Sequence, residues 1–187
     1  MLGEDGPVDL PSLGTLRALP ALAHPELVAA PVTAALDGWA HAASVAVTAI
    51  DPDLADTAAF GEAYGVLPEA SANCVVVAGR RDGEERVAAC VVLADTRADV
   101  NGVVRRLLGV RKCSFLSMER AVEESGMEYG GITPVGLPPT WRLFVDSRVA
   151  QSELVVVGSG LRRSKLLLPG GLVAELPGAE TVTDLAR

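Results

Sequence analysis

Two valine- and alanine-rich runs face each other across Arg81-Asp82-Gly83, in the stretch NCVVVAGRRDGEERVAACVVLAD at residues 73–95. An Asp-Gly pair between two strand-forming runs favours a tight β-hairpin. The remaining elements must be arranged around that antiparallel pair. SVAVTAID, from Ser44, alternates as a strand, and ADTAAFGEAYG has helical spacing with Gly65 as its stop. TRADVNGVVRRLLG reads as a helix, with Thr96 and Asp99 in capping-box spacing and Gly109 at its end. KCSF is a short strand, and Ser117 opens the helix MERAVEESG. WRLFVDS, ELVVVGSG and RSKLLL read as three more strands, and PGGLVAELPG as a short helix. Strands in pairs and threes with helices at irregular intervals indicate an α+β fold with a mixed sheet.

The chain's 187 residues are enough for one well-buried domain. Two weaker helical patterns, Leu13–Leu19 and Pro25–Trp39, precede it and are interrupted by Pro20 and Pro31. The expected organisation is therefore a helical extension over 1–43 and the domain proper over 44–187. With 49% hydrophobic and 21% charged residues, a packed core is expected rather than disorder. The mean hydropathy of +0.32 does not imply a membrane span. Apolar runs such as VVVAG stop far short of the roughly 20 residues a spanning helix needs. MLGEDGPVDLPSLG is acidic and proline-broken, unlike a signal peptide, so a soluble cytoplasmic protein is expected.

Three cysteines (Cys74, Cys90, Cys113) without a CxxC pair argue against a disulfide framework or a zinc site. His24 and His41 lie in no metal-ligand pattern, so a Ser–His–Asp or Cys–His site is poorly supplied. No metal or cofactor is called for. The net charge of −8 opposes wholesale nucleic-acid coating. Two basic groups nevertheless stand out, Arg105, Arg106, Arg111 and Lys112, then Arg162, Arg163 and Lys165. They are either solvated element ends or a focused phosphate-binding face.

Two glycine motifs remain. VVVGSG, Val155 to Gly160, ends a strand as nucleotide folds do, but Arg163 stands where the dinucleotide fingerprint needs a third glycine. GSGLRRSK also lacks the Gly-Lys-Ser/Thr end of a P-loop. GGITPVG places Gly130 and Pro134 in a GxxxP arrangement between a helix and a strand ending at Asp146. Such a loop brings bare backbone close to a ligand and can offer N–H groups to an oxyanion. By itself it reads equally as a structural turn.

In order, NCVVVAG, DVNGVVRRLLG, KCSF, GGITPVG, FVDSRVA and VVGSGLRRSKLLL resemble the YbaK / prolyl-tRNA synthetase-associated (aminoacyl-tRNA editing) domain family. The resemblance covers roughly the last three-quarters of the chain. It implies a compact mixed, partly barrel-like β-sheet flanked by helices. It also implies an aminoacyl-tRNA deacylase acting in trans, which hydrolyses the ester of a mischarged tRNA by substrate-assisted attack of water. The implied partners are the aminoacyl-adenosine end of that tRNA and an aminoacyl-tRNA synthetase. On this resemblance Gly130, Gly131, Pro134 and Asn73 are the catalytic positions. Ile132, Thr133, Asp146, Gly158, Ser159, Gly160 and Lys165 bind substrate, and Arg105, Arg106, Arg111, Lys112, Arg162 and Arg163 face the tRNA. The best-known members carry a lysine where this chain has Asn73, and Lys165 on a neighbouring strand is the candidate replacement. That departure keeps open a non-catalytic relative that binds an aminoacyl or nucleotide ligand. A hydrolase of small aminoacyl esters unrelated to tRNA also remains open.

Overall fold

A computed structural model describes residues 12–187. The hairpin forms as the sequence demands: β3 (Ala72–Arg81) and β4 (Glu84–Leu93) pair from Ala72↔Leu93 to Arg81↔Glu84. The two turn residues, Asp82 and Gly83, both have positive φ, 53° and 87°. That left-handed pair matches the twist of the strands it joins. Around the hairpin, β5 (Cys113–Phe115) pairs antiparallel with β3, while β6 (Arg142–Asp146) and β9 (Ala179–Val182) extend the β4 side in parallel. This mixed five-stranded sheet has the order β5-β3-β4-β6-β9. The second sheet, β1-β2-β8-β7, is antiparallel and comprises β1 (Leu19–Pro20), β2 (Ala46–Ala49), β7 (Val155–Gly158) and β8 (Ser164–Leu168). A parallel bridge, Ser71↔Val156, ties the start of β3 to β7 and closes one side of the pair in barrel fashion.

The near-continuous apolar run of β4 has a simple cause. Ala89, Val91 and Leu93 face a core shared with Val47, Val155, Val157, Leu166 and Leu168 of the other sheet. Ala88, Cys90 and Val92 face a second core with Val104, Leu108, Phe144 and Leu185. With both faces buried, alternation disappears. α2 (Thr57–Tyr64) covers the outer face of the four-stranded sheet through Phe60, against Ala46, Val156 and Leu167. It ends at Gly65 in the left-handed conformation, as its sequence indicated.

Three local expectations need correction or refinement. Leu13–Leu19 is not helical; it is a turn and loop running into β1. α1 (Ala30–Asp37) forms within the second pattern and buries Val32 and Leu36 in the inter-sheet core. No Thr96 capping box forms, because Thr96 Oγ1 donates to Leu93 O at 2.8 Å. Asp99 is the cap, accepting from Gly102 N at 3.1 Å and Val103 N at 3.3 Å. The first turn it caps, Val100–Val104, is π-helical, leaving α3 as Arg105–Leu108 before Gly109. α4 (Met118–Ser125) starts at Ser117, whose side chain accepts from Arg120 N, and ends at Gly126. α5 (Ser147–Gln151) and α6 (Gly170–Ala174) bury Val149 and Val173 in the inter-sheet core.

A buried carboxylate helps hold the C-terminal residues, which also bridge to Arg97 and Asp99. Asp146, fully buried at the end of β6, accepts from Arg148 N (2.9 Å), Arg148 Nε (3.0 Å) and Ala186 N (2.9 Å). Burial disfavours its ionised form, but the hydrogen bonds from Arg148 and Ala186 outweigh this together and hold the carboxyl below its usual range. Asp146→Ala is expected to lower unfolding free energy by about 2–3 kcal/mol at pH 7, read by chemical denaturation. A lowered folded pKa contributes stability that is full above the unfolded value and is lost as pH falls through the folded one. The gap between wild type and Asp146→Ala should therefore narrow as pH drops below the ordinary carboxylate value of about 4.

Candidate functional site

The two glycine motifs meet backbone to backbone. Glu128 N donates to Gly160 O at 2.8 Å, Gly160 N to Gly131 O at 2.7 Å, and Gly131 N to Glu128 O at 3.0 Å. Arg162 N adds a bond to Glu128 Oε2 at 2.6 Å. Side chains cannot enter this seam. A Cβ on Gly131 would lie 2.7 Å from Leu161 C, and one on Gly158 only 2.6 Å from Ile132 O. The glycines therefore serve close approach between the loop after α4 and the end of β7. Ser159 locks the second loop from inside, its hydroxyl 2.8 Å from Ser164 Oγ, which in turn donates to Leu27 O at 2.6 Å.

Beside this seam lies a cavity of about 390 Å³, lined by Ala55, Asp56, Thr57, Ala72, Asn73, Cys74, Val75, Tyr129, Gly130, Ile132, Gly158 and Lys165. Three chain segments distant in sequence converge here. β3 delivers Asn73 because the Ser71↔Val156 bridge holds its first residues against β7. Thr57 Oγ1 donates to Asn73 Oδ1 at 2.8 Å, which orients the amide. β8 delivers Lys165, in register with Gly158. Only 9% exposed, Lys165 donates from Nζ to Ala55 O at 2.9 Å and sits 5.5 Å from the Phe60 ring centroid. Burial, and then the Arg162 charge, push its pKa below the ordinary lysine value, with Asp56 acting in the opposite sense. Along the glycine loop, Gly131 N–H is taken by Glu128. Among the described residues, neither Gly130 N–H nor Ile132 N–H has a hydrogen-bond acceptor.

Of the expected site residues, Asn73, Gly130, Ile132, Gly158 and Lys165 line this cavity, while Gly131, Thr133, Pro134, Asp146, Ser159 and Gly160 do not. Pro134 lines a different cavity, also about 390 Å³, with Trp39, Trp141 and Leu176. Thr133 is buried, and its Oγ1 lacks a hydrogen-bond partner among the described residues. Asp146 clamps the C-terminus, as described above. Thr57 and Tyr129 were missed by sequence reasoning: α2 looked like a plain amphipathic helix, and Tyr129 was one residue of a glycine stretch. Cys74 also faces the cavity, but burial pushes its thiol up to about 12, so it is no thiolate nucleophile at neutral pH. His24 and His41 pair with Glu26 and Glu175 and line none of it. No group of three or more metal-ligating side chains occurs among the described residues.

The basic groups separate in space. Arg162 holds Pro52 O at 2.9 Å and approaches Asp56, so it stands at the cavity mouth. Arg163 bonds Glu26 O at 2.8 Å. Arg105, Arg106, Arg111 and Lys112 are exposed and make no ion pair with the described residues. Arg105 and Arg106 lie on α3; Arg111 and Lys112 adjoin Cys113, which pairs with Gly79, six residues along β3 from Asn73 and thus roughly 20 Å from it.

Comparison with known proteins shows the family and the fold. The family model described as "Aminoacyl-tRNA editing domain" matches residues 51–175. The crystal structure of hypothetical protein APE2540 is 23% identical, with a TM-score of 0.70 over 82% of this chain and 99% of that one. That of a proposed trans-editing enzyme for prolyl tRNA synthetase is 21% identical, with a TM-score of 0.68 over 82% of this chain and 93% of the other. At these identities the likeness establishes the fold. Among the described residues, no helix is long and apolar enough to cross a membrane.

The seam makes a direct prediction. Gly131→Ala forces a methyl group onto the Leu161 backbone and should destabilise the protein by about 2 kcal/mol, read from denaturant unfolding. Gly38→Ala, where an added Cβ meets nothing within 4 Å, should stay within about 0.5 kcal/mol of wild type.

Proposed function

The chain belongs to the aminoacyl-tRNA editing domain family, and from that premise we propose that it hydrolyses, in trans, the ester linking a wrong amino acid to the end of a tRNA. The observation that carries this reading is one cavity combining a buried cation, Lys165, with two unengaged backbone donors, Gly130 and Ile132 N–H. Such donors stabilise the negative oxygen that develops when an ester carbonyl is attacked. The cavity's thiol is protonated, and none of its side chains forms a nucleophile–base pair. The base is therefore best supplied by the substrate, through the free hydroxyl of its terminal ribose. Water adds its oxygen to the carbonyl carbon as that hydroxyl relays the proton. The bond from carbon to the ribose oxygen then breaks, and the proton goes to that leaving oxygen. The products are a free amino acid and an uncharged tRNA.

In this scheme Asn73 hydrogen-bonds the ester or ribose, and Lys165 supplies the cation that Asn73 lacks. Gly131 and Pro134 shape the loop rather than touch the acyl group. Arg162 and Arg163 neighbour the entering strand's phosphates, and Arg105, Arg106, Arg111 and Lys112 form a separate tRNA-facing patch. Phosphate contacts of this kind give affinity without choosing the amino acid. A synthetase that releases mischarged tRNA is the matching second partner.

The test is amino-acid release from a panel of mischarged tRNAs. Wild type should deacylate at least one, and Lys165→Met, which keeps most of the buried stem, should lower kcat/KM about a hundredfold. Because burial lowers the Lys165 pKa, activity should fall on the alkaline side at a pH below the ordinary lysine value of 10.5. Binding of the panel without any release would favour the non-catalytic reading to which Asn73 points.

A further inference from the structure

Tyr129 stands at the lip of the cavity and does nothing visible for the fold. It is 58% exposed in a chain with only seven aromatic residues. Of the others, Phe60, Phe144 and Trp141 are buried, and the Tyr64 hydroxyl accepts from Asp51 N. Among the described residues, the Tyr129 hydroxyl has no hydrogen-bond partner and its ring no aromatic or cationic partner. The backbone that carries it is nonetheless fixed. Glu128 is pinned to Gly160 and Arg162, and Gly130 follows in the left-handed conformation, φ 78°. Arg162 covers that glycine so closely that a Cβ there would lie 2.6 Å from Nη1. A flat apolar ring is thus held on a rigid loop beside a guanidinium, at the mouth of a cavity whose polar floor is Asn73 and Lys165.

We propose that Tyr129 is the platform on which the terminal nucleobase of the substrate stacks, with Arg162 beside the phosphate on its 5′ side. The assignment rests on the deacylase reading for where the ester lies. With the acyl group at Lys165 and Asn73, the attached nucleoside must leave through the mouth, and every base presents a π-face to an aromatic ring there. Such a contact accepts any base and favours the larger purines. Fidelity toward the amino acid stays with the cavity walls.

Binding of two RNA probes separates this subsite from the hydrolytic step: the trinucleotide CCA, and the same oligonucleotide lacking its 3′-terminal base. Wild type should bind CCA about tenfold more tightly than the abasic probe. Tyr129→Phe should keep that preference. Tyr129→Ala, at an unchanged thermal midpoint, should bind both probes alike, and on a mischarged tRNA that wild type hydrolyses it should raise KM with kcat retained. The subsite is overturned if wild type does not distinguish the probes, whether it binds both or neither, or if Tyr129→Ala keeps the full preference. A wild type that discriminates through Tyr129 yet releases no amino acid from any tRNA leaves the subsite standing and removes the hydrolytic reading.

Discussion

The contact between the backbones of the two glycine loops is the constraint on which the rest of the site depends. Gly131 and Gly158 approach so closely that neither position has room for a side chain, and the Gly160 and Gly131 hydrogen bonds close the seam. With the seam closed, Tyr129, Gly130 and Ile132, which line the same cavity, keep N–H groups that have no acceptor among the described residues. A loop held only by its own turn would leave these N–H groups free to move. Here the bonds to Gly160 fix the loop at Glu128 and Gly131, and the proposed oxyanion role draws on that rigidity, since preorganised donors are the ones that lower a barrier.

Lys165 illustrates how the fold supplies chemistry at a cost. An ammonium with 9% exposure loses most of its hydration, and one carbonyl at 2.9 Å and one ring at 5.5 Å replace only part of it. The remaining N–H groups can be satisfied by a ligand's oxygen. Cys74, on the opposite strand of the cavity, shows the reverse effect: the same desolvation that lowers the lysine pKa raises the thiol's. One dry environment thus disfavours the charged form of both groups.

Much of this was legible in the sequence where a local rule decides. The Asp82-Gly83 turn, the stops at Gly65, Gly109 and Gly126, and the start at Ser117 each follow from backbone conformation or capping. GGITPVG and GSGLRRSK carried the family resemblance as a pair, and their backbones meet in the structure because so close an approach demands glycine from both sides. What stayed hidden depends on tertiary placement. Pro134 sits in the glycine loop but faces the Trp39 and Trp141 cavity, and Asp146 follows that loop in sequence but ends β6 in the C-terminal clamp. The basic residues look like two comparable runs, yet the rise of β3 sets Cys113, next to one of them, roughly 20 Å from Asn73. Leu13–Leu19 carries helical spacing, but Thr15 N bonds Tyr64 O at 2.9 Å instead of a helical partner.

The most direct test of the account is where a non-hydrolysable substrate mimic binds. A crystal structure with an adenosine carrying an amide-linked amino acid at its 3′ position should place the acyl carbonyl within about 3 Å of Lys165 Nζ or of the Gly130 and Ile132 N–H groups. Its amide should lie beside Asn73. Density for the mimic in the cavity of Trp39 and Trp141, with the Lys165 cavity unchanged, would contradict the assignment of the site.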